Sequence, residues 1–251
     1  MIEVKNIIKG FDGRPILKDI SCNFEPGVVN LVIGRSGSGK TVFLKCLIGL
    51  MEPDAGEVIY DGRSFTKGDE KIRMSIRRDM GKVFQMGALF DSMTVAENVA
   101  FPLEMFSDLS AAEKKDRVHF CLEKVNLEHA LSLYPSEISG GMKKRTAIAR
   151  AIALNPKYLF CDEPNSGLDP ETAIVIDRLL YELTHEFNMT TVIVSHDMNS
   201  VVEIGENVIY LHHGENVWQG AGKDIFKSDN AYLKDFVLAS ELMKKLAKIH
   251  G

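Results

Sequence analysis

At 251 residues, with 30 Lys and Arg against 35 Asp and Glu and a formal charge of −5, the chain is long enough for one large or two small cores. Its acidic balance, with a pI near 5.8, argues against non-specific nucleic-acid binding, and no nucleic-acid partner is expected. No run approaches the roughly 18 apolar residues that span a bilayer, and Met1-Ile2-Glu3-Val4 lacks the basic-then-apolar order of a secretion signal; the expectation is a soluble cytosolic protein, free to dock onto a membrane protein.

Residues 2–60 alternate short β-like runs with turns at Gly10, Asp12-Gly13, Pro26-Gly27 and Pro53-Asp54-Ala55-Gly56, which predicts a small sheet. Within it, Val29–Ile33 reads as a buried strand and residues 42–48 as a helix. Between them stands Gly34-Arg35-Ser36-Gly37-Ser38-Gly39-Lys40-Thr41, which fits G-x-x-x-x-G-K-[ST] at every fixed position. The glycines let successive N–H groups point inward at anionic oxygens. Lys40 is placed for the β- and γ-phosphates and the Thr41 hydroxyl for Mg²⁺. A nucleoside triphosphate is therefore the expected ligand.

From residue 92 to 155 the character turns helical, over 96–105, 110–125 and 143–154, with Ser110 and Glu113 looking like a helix start. A second α/β stretch follows. Strands are expected at 158–161, 191–194 and 208–211, and a helix at 170–187 with Asp169 as N-cap and Pro170 in its first position. The plan is one α/β core with a helical subdomain inserted between its halves. Four cysteines, Cys22, Cys46, Cys121 and Cys161, show no close pairing or metal-ligand spacing, and Cys46 and Cys161 read as small buried hydrophobes in a reducing compartment.

Three further segments carry chemistry. The strand at 158–161 ends in Asp162 and Glu163; after a phosphate loop, such an Asp holds Mg²⁺ and the adjacent Glu can polarise the attacking water. The strand at 191–194 delivers His196 to the C-terminal edge of the sheet, where ligands of open α/β sheets bind. Ser139-Gly140-Gly141 leads straight into a helix and offers N–H groups and a hydroxyl on its positive end, a second anion site.

Ile138-Ser139-Gly140-Gly141-Met142, in order after the phosphate loop and just before the acidic strand, resembles the signature of the ABC transporter ATPases. The resemblance covers about residues 1–222. It implies a P-loop NTPase core, with a RecA-like mixed sheet and an N-terminal antiparallel β region, split as 1–85 and 156–222 around an α-helical subdomain at about 86–155; residues 223–251 form a C-terminal helical extension. By this likeness Phe11 stacks on adenine, although a core Phe at the first turn is the other reading. Gln85 is the glutamine that contacts Mg²⁺ and water, Ser166-Gly167-Leu168-Asp169 crosses a dimer interface, and His196 is the switch histidine. Glu163 activates water, Asp162 attends Mg²⁺, and Ser139, Gly140 and Gly141 complete the partner copy's ATP site. ATP and Mg²⁺ are the implied cofactors, and two copies are expected to close head to tail around two ATP.

Met142 departs from the family's usual Gln, a change that leaves backbone donation by Gly140 and Gly141 intact. Ser139-Gly140-Gly141-Met142, together with Phe84-Gln85-Met86-Gly87-Ala88-Leu89-Phe90 and Glu97-Asn98-Val99-Ala100-Phe101-Pro102-Leu103, makes the chain similar to the Mla/MCE-type ATPases of phospholipid trafficking. The same loop is where a membrane permease would dock, unless it packs into its own core, and the expected location is the cytoplasmic face of the inner membrane. A polar-amino-acid importer ATPase is the nearest rival; a translation factor, a DNA-repair ATPase and a scaffold fit less well. Residues 231–248 predict an amphipathic helix with Tyr232, Phe236, Ala239, Met243 and Leu246 on one stripe, packed on its own body, on the second copy or an accessory subunit, or on a membrane surface. Lys71, Arg73, Arg77 and Arg78 read as a solvated helix face.

Overall fold

The computed structural model describes residues 1–239 together with Lys244 and Lys245. A hairpin of β1 (Ile2–Phe11) and β2 (Arg14–Phe24) precedes β3 (Val29–Ile33), whose five residues are all buried. The phosphate loop then enters α1 (Lys40–Leu47), followed by β4 (Ala55–Tyr60), β5 (Arg63–Ser64), α2 (Glu70–Arg78) and β6 (Met80–Val83). Three helices come next, α3 (Val95–Phe106), α4 (Ala111–Lys124) and α5 (Gly140–Ile152). The chain returns to the sheet through β7 (Tyr158–Asp162), α6 (Pro170–Glu186), β8 (Thr190–Ser195), α7 (Met198–Ile204), β9 (Asn207–His212) and β10 (Glu215–Gly220), and α8 (Ala231–Val237) closes the series.

Two sheets result. An antiparallel one runs β2-β1-β4-β5, and a larger one runs β10-β9-β3-β8-β7-β6. In the larger sheet every pair is parallel except β9 with β10. Successive strand residues face opposite sides, and β3 shows the consequence: Val32 joins the core shared with α1, α2 and the antiparallel sheet, while Leu31 and Ile33 join the core under α3 to α8. Register sets the functional edge. Ile33 pairs with Ser195, and Asp162 pairs with Val194, so Gly34, Glu163 and His196 all leave the sheet at one C-terminal edge.

Local chemistry explains the helix ends. Ser110 and Glu113 form a reciprocal capping box at α4, Thr94 and Glu97 form another at α3, and Asp169 caps α6 through Thr172 N–H. Helix α5 starts at Gly140, three residues earlier than the apolar spacing predicts. Ser139 Oγ accepts from Met142 N–H at 3.2 Å and its carbonyl takes the Lys143 N–H at 2.9 Å, which draws the two glycines into the first turn. α7 carries no expectation from sequence. All four cysteines are free and buried.

Two further expectations need correcting. Arg73 is not simply solvated: its guanidinium lies 5.5 Å from the Phe65 ring centroid and pairs with Glu52. The C-terminal helix is interrupted rather than continuous, helical to residue 237 and again at Lys244 and Lys245. α8 ends at Val237 with Leu238 as its cap, where the turn tightens through Ala239 N–H to the Phe236 carbonyl. Tyr232 stacks on His212 and Phe236 on Tyr210, so this part packs on its own body; Met243, Leu246 and Lys248 lie outside the described residues.

Candidate nucleotide site

The phosphate loop joins the end of β3 to the start of α1. Gly39, the N-cap of α1, has φ +103°, a conformation that a side chain resists, and no side chain caps the helix. The N–H groups of the first turn are thus available to an anion on the positive end of the helix. Lys40 is buried and its ammonium donates to the Gly34 carbonyl at 2.8 Å and the Arg35 carbonyl at 3.1 Å. Burial lowers its pKa, and the charges of Glu163 and Asp162 oppose that shift. Ser38 Oγ is buried without a hydrogen-bond partner among the described residues. An uncapped helix start, a buried ammonium and an orphaned hydroxyl fit a polyphosphate. Thr41 is exposed in the same turn. Its hydroxyl, the Asp162 carboxylate and the Gln85 amide are the hard oxygen donors that Mg²⁺ prefers alongside phosphate. Burial raises the Asp162 pKa, with Lys82 pulling it back.

Glu163 is the hub of the edge. Its backbone sits at φ 45°, a left-handed conformation for a non-glycine, held by Glu163 N–H donating to the Val194 carbonyl at 2.9 Å. Gln85 Nε2 donates to its Oε2 at 3.1 Å, and His196 Nδ1 lies 3.0 Å from its Oε1. Three residues predicted from separate segments thus meet at one carboxylate.

The second anion cradle stands apart. Ser139 and Gly140 are exposed at the start of α5, and among the described residues no hydrogen bond, ion pair or ring contact joins them to residues 34–41. Gly141 differs from Gly140. A Cβ there would stand 2.6 Å from Thr172 Cγ2, so this glycine serves the packing of α5 on α6. Phe11 is 42% exposed, which removes the core reading, with the Lys9 ammonium 5.5 Å from its ring centroid. Met86 is 90% exposed and Phe84 and Phe90 about 40%, while Leu89 packs against the core, so the loop is core-packed only in part.

Sequence reasoning missed two sets of residues. Lys144 and Arg150 of α5 donate to the backbone carbonyls of Gln85, Gly87 and Ala88. Lys144 shares a helical stripe with buried Ala147, Ile148 and Ala151, and a cation in an apolar stripe was the available signal. The second set is buried Asp177, which accepts from the Asn165 amide at 3.3 Å, while that amide also reaches Ser200 Oγ at 3.0 Å. Burial pushes the Asp177 carboxyl up to about 6.

Fold and site together define a nucleotide-binding α/β cassette with its candidate site at one edge of the parallel sheet. Residues 17–166 match the ABC transporter family. A methionine import ATP-binding protein of Protochlamydia amoebophila is 39% identical over 232 residues, covering 90% of this chain and 68% of that protein. A probable ribonucleotide transport ATP-binding protein of Mycobacterium leprae is 36% identical over 236 residues, covering 94% and 68%. Among solved structures, a dimeric ATP-binding cassette in a post-hydrolysis state with ADP and Pi aligns with a TM-score of 0.78 at 35% identity, over 88% of this chain and 98% of that one. A transporter-complex subunit of Clostridium perfringens aligns at 0.84 and 28% identity, over 99% and 97%. The chain belongs to the ABC transporter family and is its ATP-binding, ATP-hydrolysing cassette. No helix among the described residues is long and apolar enough to cross a membrane.

Proposed function

We propose that this chain powers a membrane transporter as one of two copies closed head to tail around two ATP, and that its cargo is a small polar nutrient of the amino-acid class. One observation carries the first part: the Gly34–Thr41 loop and Glu163 gather at one edge, while the Ser139–Gly140 cradle faces solvent elsewhere on the same chain. A second copy supplies what the first edge lacks. The dimeric state of the solved cassette supports that pairing.

In this reading the N–H groups of residues 34–41 and the Lys40 ammonium hold the β- and γ-phosphates, Phe11 meets the adenine, and Thr41, Asp162 and Gln85 attend Mg²⁺. When bound, Mg²⁺ neutralises charge on the β- and γ-oxygens. Glu163 takes a proton from the attacking water, His196 fixes that carboxylate and faces the γ-phosphate, and Gln85 aligns the water. The partner's Ser139 and Gly140 close over the same phosphate. Charge-assisted hydrogen bonds across the seam close the pair, and hydrolysis removes the bridge.

Exposed Phe84, Met86 and Phe90, beside Gln85, form the surface proposed for the permease, with the protein held peripherally on the cytoplasmic face of the inner membrane. The division into 1–85 with 156–222, 86–155 and 223–251 belongs to the same reading, with the last segment as the place for an accessory subunit. The relatives' names favour nutrient import over the phospholipid trafficking expected from sequence. The chain spans about two thirds of the length of these relatives. Phospholipid transport stays as a second reading, carried by the strings at 139–142, 84–90 and 97–103. Purification of the complex from native membranes, followed by reconstitution in vesicles, separates the two. Amino-acid uptake coupled to ATP supports the first, and ATP-dependent phospholipid transfer without uptake moves the assignment to the second.

A further inference from the structure

Helix α5 reaches the loop after β6 at three points. The Lys144 ammonium donates to the Gln85 carbonyl, and nearly two turns along the Arg150 guanidinium donates to the Gly87 carbonyl at 2.7 Å and the Ala88 carbonyl at 2.8 Å. The loop is shaped for this. Gly87 and Ala88 are both left-handed, at φ 74° and 48°, an unfavourable pair for which Ala88 has no glycine's freedom. Gly87 N–H closes a turn onto the Phe84 carbonyl at 2.8 Å, and Met86 projects outward from that turn.

Lys144 is 7% exposed, and among the described residues no carboxylate lies within ion-pair distance of it. A buried unpaired ammonium is a poor stabiliser compared with an apolar side chain of similar volume. Lys144 holds the backbone of Gln85, whose side chain donates to Glu163 at 3.1 Å, and it also lies within the electrostatic reach of the Glu163 carboxylate. The same helix begins with Ser139.

We infer that Lys144 is a positioning residue for ATP hydrolysis, acting through Gln85, and that its contact makes the Gln85–Ala88 loop and the Ser139 end of α5 move as one body. A push on Met86 then reaches the attacking water and the partner's nucleotide together. The inference rests on the reading of Gln85 as the residue that aligns water.

The test measures kcat and KM for ATP with the full-length chain, for Lys144→Met, Lys144→Gln, Gln85→Ala and the Gln85→Ala/Lys144→Met pair. Arg145→Met, which loses contacts of the same kind to the Val125 and Asn126 carbonyls, is the control with unchanged kcat. The expectation for Lys144→Met is at least a tenfold loss in kcat with KM within twofold. Lys144→Gln, which keeps a donor, recovers part of it, and the double variant is no slower than Gln85→Ala. A Lys144→Met enzyme with native kcat beside an impaired Gln85→Ala overturns the inference alone, as do losses that multiply in the double variant. A fully active Gln85→Ala overturns the inference and the reading of Gln85 with it. Should Lys144→Met not fold, Lys144→Gln against Gln85→Ala carries the same comparison.

Discussion

His196 and Glu163, 33 residues apart, meet with Nδ1 at 3.0 Å from Oε1, although they leave the sheet from different strands. The pairing follows from register: β7 and β8 run side by side, and Asp162 stands opposite Val194. A carboxylate whose two oxygens are held from two sides, by His196 and Gln85, has its orientation fixed before substrate arrives.

Replacing Glu163 by Gln removes the base and keeps the shape. Hydrolysis is expected to fall by about 10²–10⁴-fold, while ATP is still bound and drives the variant into a dimer. Single-turnover hydrolysis and light scattering with ATP check both halves. Native turnover contradicts the role given to Glu163.

Lys40→Ala removes the ammonium that lies across the Gly34 and Arg35 carbonyls. Loss of a charge-assisted contact of this kind costs roughly 1.5–3 kcal/mol, so ATP affinity should drop by at least tenfold and turnover should be lost. Titration with a fluorescent ATP analogue reads the affinity.

Asp177 gives a prediction in pH. Its carboxyl is raised from 3.8 to about 6, chiefly by burial, with the nearby charges of Asp197 and Glu203 adding to it and the hydrogen bonds from Ser200 and Asn165 opposing; Glu203 is itself paired with Arg178. Between those two values the folded state binds more protons than the unfolded one, so this group's contribution to stability falls as pH rises from about 4 to 6 and is level above. Asp177→Asn should remove that slope. Thermal unfolding of both proteins from pH 4 to 8 checks it: the variant gains on the native protein across the window, and parallel curves contradict the assignment.

The two glycines at the start of α5 should part company. Gly141→Ala drives a methyl to 2.6 Å from Thr172 Cγ2, and the Thr172 hydroxyl donates to the Asp169 carboxylate at 2.6 Å, so the side chain turns away only by breaking that bond. Overpacking of this kind costs about 1–3 kcal/mol. At Gly140 the nearest atom would be Leu168 Cδ2 at an ordinary 3.6 Å, and Gly140→Ala should unfold near the native temperature. Calorimetry on the two variants decides.

Much of the site was legible because its residues lie in strings whose spacing is chemistry: the 34–41 loop, Asp162-Glu163 at a strand end, and His196 at another. The buried strands were legible for the same reason, being short apolar runs such as Val29–Ile33, whereas polar, half-exposed β10 carried no expectation. What stayed hidden depends on tertiary contact. Nothing local marks Lys144 as the partner of a carbonyl 59 residues away, or Asp177 as sharing an amide with Ser200. The apolar spacing alone began α5 at 143 because two glycines weaken helix propensity, whereas the Ser139-Gly140-Gly141 string marked the helix end that the Ser139 cap fixes. Helix α8 was drawn as continuous through Lys244 and Lys245 because its apolar stripe continues in sequence past the Leu238 cap.

The central claim is that each ATP is held between the 34–41 loop of one copy and Ser139 of the other. Mixing Lys40→Ala with Ser139→Arg chains, each inactive alone, tests it most directly through steady-state ATP hydrolysis. A mixed pair has one pocket with both defects and one with neither, so activity should return on mixing; a mixture that stays as inactive as its components, although mixed dimers form, contradicts a pocket shared across the seam.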